Sequence, residues 1–336
     1  MKLIIEELRG WTEFIQMQEP WNQLLSRSHA PKIFFCWEWY YLWLKHFWYT
    51  KDFHFLLVRD ESRGLRGIVP LIMKQSRDGV VVEFIGDTNT WDYRDAIIDQ
   101  AMIEPVLVSI LNYLKEKIKG EGTIELSGLP EDSPTKTWIV KPAEKFGFEV
   151  RLLPEDTCPI LSLPTSWEEY LQLLKKKDRH ELERKTRKIN REAQVDLLRI
   201  KDANKIREGI EDFFILHRAS REEKAGFMGG EMSSYFLSLA ELFAQRGWLN
   251  LSFLTANGKK IAGIIGFEYL DTLYIYNSGY EPRYSPWSPG IVLIGLIVKD
   301  CIEKGFKRVD FLRGNESYKY KFGAVDNTVY KLILRI

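Results

Sequence analysis

A chain of 336 residues with 45% hydrophobic and 28% charged side chains is long enough for about two domains and too apolar to be largely disordered. Forty-eight Lys and Arg against 47 Asp and Glu leave a net charge of +1, which excludes a protein that holds nucleic acid through a global field, so any polyanion site must be local. Cys36, Cys158 and Cys301 stand far apart without CxxC spacing, which argues against a disulfide framework or a zinc site and for a reducing compartment. Glu6, Glu7 and Arg9 interrupt the apolar N-terminus, unlike a secretory leader. The apolar run 291–298 is far shorter than the ~20 residues of a bilayer span. A cytoplasmic location without a transmembrane segment is therefore expected.

Along the chain, a helical stretch at 11–27 precedes an aromatic helix at about 37–48. The β-rich runs 53–59, 65–73 and 80–85 are separated by the turn sequences 60–64 and 76–79 and read as a meander. A short strand at 94–99 leads into a helix at 105–119 and a strand at 123–127, an alternation that predicts a mixed α/β sheet. A helix near 136–146 and an extended stretch at 158–163 follow. The domain boundary is placed at Pro164, giving domains over 1–164 and 165–336.

The second half opens on Ser166-Trp167-Glu168-Glu169, a capping box, and a long helix is expected after it. Residues 175–191 hold nine Lys or Arg and three Asp or Glu, and Glu181 with Lys185 has the i,i+4 spacing of a solvated helix. Helices at 204–223 and 233–246 lead to a strand at 249–255 and to Asn257-Gly258, a strong hairpin signal, with 260–269 as the return strand. Strand 272–277, helix 289–304 and strands 308–312 and 329–336 complete the second sheet. Gly67-Ile68-Val69-Pro70 and Gly263-Ile264-Ile265-Gly266 occupy the same place in the two hairpins, 196 positions apart, as a diverged internal duplication would have them.

Two constellations carry chemistry. In the segment Tyr284 to Gly290, Ser288 suits an N-cap, Pro289 the first helical position and Gly290 the close approach of a ligand, so the amides of Ser288 to Ile291 can receive a phosphate. The alternative is a plain start to the buried helix that follows. The equivalent helix of the first half is preceded by Asp99 and Glu104, which would repel a phosphate. Further on, Asp310, Arg313, Glu316, Tyr318 and Lys319 crowd a strand end, either as a reactive edge or as structural ion pairs.

The Ser-Pro-Gly helix start, Asp310-Phe311-Leu312-Arg313-Gly314 and Glu316-Ser317-Tyr318-Lys319-Tyr320-Lys321-Phe322-Gly323 together resemble the CelD-like branch of the GNAT acyltransferases, named for an association with cellulose biosynthesis. Asp92-Tyr93-Arg94-Asp95, the basic stretch Lys177 to Leu182 and Leu216-His217-Arg218 resemble further pieces of that family, across nearly the whole chain. The usual glycine-rich phosphate loop is replaced here by Tyr284 to Gly290. The resemblance implies two tandem GNAT-like α/β domains, distantly similar to Fem-type transferases, with the donor site in the second.

It further implies acyl transfer from acetyl-CoA or a longer acyl-CoA to an amine, with no metal and no covalent enzyme intermediate. That chemistry needs a base, an oxyanion donor and an acid for the thiolate. Asp310, Glu316, Glu268 and His217 are the candidate bases, Tyr318 or Tyr320 the acid, and Arg313 belongs to the same edge. Ser288, Pro289, Gly290, Ile291 and Tyr284 are assigned to the donor; Asp92, Tyr93, Asp95, Glu268 and Lys319 to the acceptor, Asp92, Tyr93 and Asp95 alternatively fixing a loop. The acceptor expected from the family is a small molecule or glycan precursor. An aminoacyl-tRNA-dependent Fem-type transferase and a catalytically silent binding protein are the competing readings.

Overall fold

The computed structural model describes residues 2–48, 53–77, 79–118, 122–220, 226 and 229–336. The expected turn residue Asp78, the helix end at Lys119 and the helix end at 221–223 lie outside the described residues. The chain forms two compact units, Met1–Thr157 with Asn327–Ile336, and Cys158–Asp326. Each is a mixed α/β sheet flanked by helices.

In the first unit β1 (Ile4–Leu8), α1 (Trp11–Ile15), α2 (Gln18–Ser26) and α3 (Trp37–Trp43) precede the meander β2 (His54–Arg59), β3 (Leu65–Ser76) and β4 (Gly79–Phe84). The β2–β3 turn closes because the Asp60 carboxylate accepts the amides of Ser62 and Gly64, both at 2.9 Å. After β5 (Ile97–Ile98), α4 (Ile103–Ile118) returns the chain so that β6 (Gly122–Leu129) lies parallel to β4, a pairing that needs such a crossover. Val106, Leu107, Ile110, Leu111 and Leu114 of α4 recur at helical spacing and pack with Leu56, Val69, Leu126 and Leu334 in the core. Helix α5 (Pro134–Lys145) and strand β7 (Glu149–Thr157) follow.

The second unit holds β8 (Ile160–Ser162), α6 (Trp167–Leu173), α7 (Lys176–Glu192), β9 (Val195–Arg199), α8 (Ile206–Ser220) and α9 (Gly230–Gln245). Strands β10 (Leu249–Ala256), β11 (Lys259–Tyr269) and β12 (Thr272–Tyr280) form its meander, the β10–β11 turn using Asn257 and Gly258 at φ 49° and 76°. A 3₁₀ stretch, Pro282–Trp287, leads to α10 (Pro289–Glu303), the crossover to β13 (Arg308–Asp310), which is parallel to β12; α11 (Ser317–Lys321) is the last helix. The strand order is β8-β13-β12-β11-β10-β9. The two units thus share a meander, a crossover helix and a parallel strand. Gly67 opposite Val58 and Gly263 opposite Phe253 occupy equivalent places in them.

Several expectations differ from the structure. The C-terminal strand β14 (Thr328–Arg335) does not close the second sheet; it lies between β6 and β7 in the first. The reason is that β8 occupies the outer edge of β13, leaving no free edge there, while Val329, Leu332 and Leu334 are fully buried in the first unit. The units accordingly divide at 157/158 and 326/327 rather than at Pro164. The single long helix after Ser166 is two helices, broken where Leu174 turns to an extended ψ of 143°. The 11–27 helix is likewise two, and strand 94–99 shrinks to Ile97–Ile98.

Candidate active site

The α10 terminus is built by an unusual cap. Ser288 takes the left-handed conformation, φ 53°, and its side chain makes no capping bond. Its carbonyl accepts the amides of Ile291 (3.1 Å) and Val292 (3.2 Å), whereas Pro289 has no N–H to offer. The Gly290 amide is left pointing out of the helix start, and a Cβ built on Gly290 meets no atom within 4 Å. Here the helix dipole and an open approach coincide, the combination that suits an anion.

This terminus is one wall of a cavity of about 320 Å³ lined by Ser220, Ser278, Tyr280, Ser285, Ser288, Pro289, Gly290, Ile291, Ile294, Glu316 and Tyr318. The opening follows from strand lengths. β13 pairs with β12 only from Thr272 to Tyr274, and β12 runs on to Tyr280 without it. A register shift on β11 between Ile265 and Gly266 leaves Tyr276 as an extra residue on β12, a bulge next to this divergence. The β12–β13 ladder therefore ends at Tyr274, and the two strands part beyond it.

Of the residues singled out from the sequence, Ser288, Pro289, Gly290, Ile291, Glu316 and Tyr318 all line this one cavity. Glu316 lies against Gly314, whose φ of 104° brings the two close; a Cβ there would sit 2.6 Å from the Glu316 carboxylate. Tyr284 stands behind the wall, its ring 5.3 Å from that of Trp287 and 5.0 Å from the Arg283 guanidinium. His217 is buried on α8, with Nε2 3.1 Å from Asn277 Oδ1. Gly279 of β12 abuts the His217 backbone and so lets α8 pack directly on the strand.

The others are placed differently. The buried Asp310 carboxylate accepts the Leu312 amide at 2.8 Å and holds a turn in which Leu312 is left-handed, φ 57°. Lys319, 2% exposed, donates to the carbonyls of Leu312 (3.0 Å), Arg313 (2.8 Å) and Gly314 (2.9 Å) and pairs with Glu316 at 2.9 Å. Its ammonium thus ties the loop together. Tyr320 donates to Asp326 at 2.6 Å, which pushes its phenol up to about 12. Glu268 accepts from Arg199 (2.9 Å) and Asn250 (2.6 Å) near the opposite end of β11. Asp92, Tyr93 and Asp95 belong to the first unit, where Tyr93 and Asp95 are fully buried.

The sequence reading missed Ser220, Ser278, Tyr280, Ser285 and Ile294. Ser285 lies within the segment it singled out, but Ser278 and Tyr280 count only because β12 outruns β13, which no local pattern announces. Among the described residues no group of His, Cys, Asp and Glu is arranged for a metal, and no helix is long and apolar enough to cross a membrane.

Residues 176–320, within the second unit, match the model of the acetyltransferase (GNAT) domain. No curated protein matches the sequence. Among solved structures, FemX superposes over 97% of this chain and 96% of its own, with a TM-score of 0.65 and 12% identity. The C-terminal domain of a protein described as a lysylphosphatidylglycerol synthetase, from Agrobacterium fabrum, covers 95% of this chain and 92% of its own, at 0.57 and 11%. L-PGS from Bacillus licheniformis covers 94% and 90%, at 0.53 and 12%. At such identities the likeness concerns the fold.

Proposed function

We propose that the protein is a thioester-dependent N-acyltransferase of the CelD-like kind, taking an acyl group from a donor such as acyl-CoA and passing it directly to an amine. The observation that carries this reading is that one cavity joins an anion-competent helix start, Gly290, to an acid–base pair of side chains, Glu316 and Tyr318. The donor's phosphate rests on the Gly290 amide and its arm runs along Ser278 and Tyr280. The thioester carbonyl then lies near the backbone of β12 beyond its pairing with β13, whose amides stabilise the oxyanion.

Glu316 takes the proton of the ammonium form of the acceptor. The free amine attacks the carbonyl carbon, the C–N bond forms and the C–S bond breaks; the Tyr318 hydroxyl delivers a proton to the departing thiolate and is restored by the proton that the former amine nitrogen sheds as it becomes the amide. Lys319 acts behind them, fixing the 312–316 loop and holding the Glu316 carboxylate in place. The family resemblance makes an amino sugar of a polysaccharide or lipid precursor the first acceptor to try.

A thermal-shift series with acetyl-CoA, longer acyl-CoAs and aminoacyl-tRNA tests the reading. A donor at a hundred times its Kd stabilises by about 2.7 kcal/mol. Stabilisation by an acyl-CoA is expected; a response to charged tRNA with none to any acyl-CoA would overturn the proposal in favour of a Fem-type donor.

A further inference from the structure

The outer face of α7 is a continuous cationic stripe. Leu182 and Ile189 are the buried residues of this helix, and Leu182 lies against Gly295 of α10. At 100° per residue the side opposite them is occupied by Lys176, Lys177, His180, Arg184, Arg187 and Arg191, all exposed. Among the described residues none of the six has a carboxylate at salt-bridge distance. The acids of α7 sit elsewhere: Glu181, for one, pairs with Lys185 at 2.8 Å and Lys321 at 3.7 Å. Solvated helices normally intersperse the two signs, so this segregation in a chain of net charge +1 is a local device.

The C-terminal end of α7 is fastened to the segment that leads into the cavity wall. There Lys188 donates to the Pro286 carbonyl at 3.0 Å and Glu192 accepts the Trp287 indole N–H, holding α7 to the 3₁₀ stretch that leads into Gly290. From Arg191 the stripe runs back to Lys176 over about 22 Å, at 1.5 Å per residue. That is too long for the nucleotide of one coenzyme molecule, whose phosphates all lie within reach of a single attachment point. The described lining of the cavity, in contrast, offers serine and tyrosine hydroxyls and the carboxylate of Glu316, with no Lys or Arg. The two parts together fit a donor with a neutral, hydrogen-bonding arm and an extended anionic body.

We propose that α7 is the docking face for a small acidic protein that carries the acyl group as a thioester on a phosphopantetheine arm. The inference rests on the thioester reading above. The arm, two amides and a hydroxyl beyond one phosphate, enters past Gly290 while carboxylates of the carrier meet Arg184, Arg187 and Arg191. A nucleic acid would bring a phosphate with each nucleotide against Glu316. A membrane would ask for apolar residues beside the stripe, and the apolar residues of α7 are buried against α10. Complementarity of charge also steers encounter, so association should weaken with salt.

The test compares one acyl group on phosphopantetheine, on coenzyme A and on an acidic acyl carrier protein. Binding is measured by calorimetry to the full chain and to the variants Arg184→Glu/Arg187→Glu/Arg191→Glu and Gly290→Leu. The carrier-borne donor is expected to bind at least ~10-fold more tightly than acyl-phosphopantetheine, and the triple reversal to remove that advantage while leaving acyl-phosphopantetheine affinity unchanged. Gly290→Leu should weaken acyl-phosphopantetheine binding by ~10-fold or more and leave a weak, salt-sensitive attachment of the carrier. If acyl-phosphopantetheine binds and the carrier adds nothing, the docking proposal falls and the thioester reading stands. Should no thioester bind at all, the thioester reading itself is wrong. Tighter binding of an RNA or of anionic vesicles than of the carrier, lost in the triple variant, would reassign the stripe.

Discussion

The Nε2 of His217 lies 3.1 Å from the Oδ1 of Asn277, joining α8 to β12 just behind the bulge at Tyr276. In this contact the imidazole is the donor and Asn277 the acceptor, which fixes the ring's orientation beside the cavity wall. Removing the acceptor leaves a buried N–H short of a partner, at a cost of about 1–3 kcal/mol. Asn277→Ala is expected to lower the chemical denaturation midpoint accordingly, and an unchanged midpoint would show that the pair does not brace the wall.

Gly290→Leu separates the pocket from the fold. A Cβ built at this position meets no protein atom within 4 Å, and leaving glycine inside a helix recovers up to about 1 kcal/mol. The variant should melt no lower than the wild type yet lose donor affinity by ~10-fold or more, as a group filling the space over a helix start must. A folded variant with full acyl-CoA affinity would remove this terminus from the donor site.

Tyr318→Phe removes the proposed acid while keeping the ring against Phe311, 6.3 Å away. With an acceptor amine in hand, kcat should fall by ~10² to 10⁴ and KM should change little. Tyr320→Phe is the control, because its hydroxyl is already engaged by Asp326, and its kcat should stay within a few-fold of wild type. Equal losses in both variants would point to packing rather than proton transfer.

Lys319→Met probes the loop. The change strips three carbonyls and the Glu316 carboxylate of a shared buried donor, which should cost about 3 kcal/mol or more. Thermal denaturation is the measurement. A variant as stable as wild type but defective in acceptor binding would return Lys319 to the ligand-binding role that the sequence suggested.

Asp95 supplies a pH dependence. Burial outweighs the hydrogen bond from the Ala96 amide, 2.7 Å, and pushes its carboxyl up to about 7 from an ordinary 3.8. The folded state thus retains a proton that the unfolded chain gives up, so the group's contribution to stability falls as pH rises from about 4 to about 7. The stability of Asp95→Asn relative to wild type should therefore rise across that window, by on the order of a few kcal/mol, in urea titrations at fixed temperature. A difference independent of pH would mean that Asp95 is ionised throughout.

What the sequence made legible was chiefly local. Asn257-Gly258 supplies the left-handed pair a tight hairpin needs, and Ser166 accepts the Glu169 amide as its spacing implied, at 3.2 Å. The Ser-Pro-Gly start was readable for the same reason, since each residue has a positional meaning of its own. Strand β7 escaped notice because it is an edge strand exposed on most of its length, without alternation to reveal it. The loop contacts of Asp310 and Lys319 were not legible, because a cluster of ionisable residues looks alike in sequence whether it faces a ligand or ties down a loop. Only the three-dimensional fact that Lys319 is 2% exposed separates the two cases.

The placement of β14 between β6 and β7 has a temporal meaning. On the ribosome, residues 1–157 emerge with a gap in their sheet, and the strand that fills it is made only after the whole of 158–326. The second unit is continuous in sequence, and its entry and exit are clasped together by reciprocal bonds between Ile160 and Val325, both 2.9 Å. It can close while the first unit waits with an unpaired edge, the kind of surface that invites mispairing between nascent chains. Birth order and assembly order are therefore inverted here: the half that is synthesised first is completed last, and a nonsense mutation near codon 327 would spare the second unit while leaving its neighbour permanently unfinished.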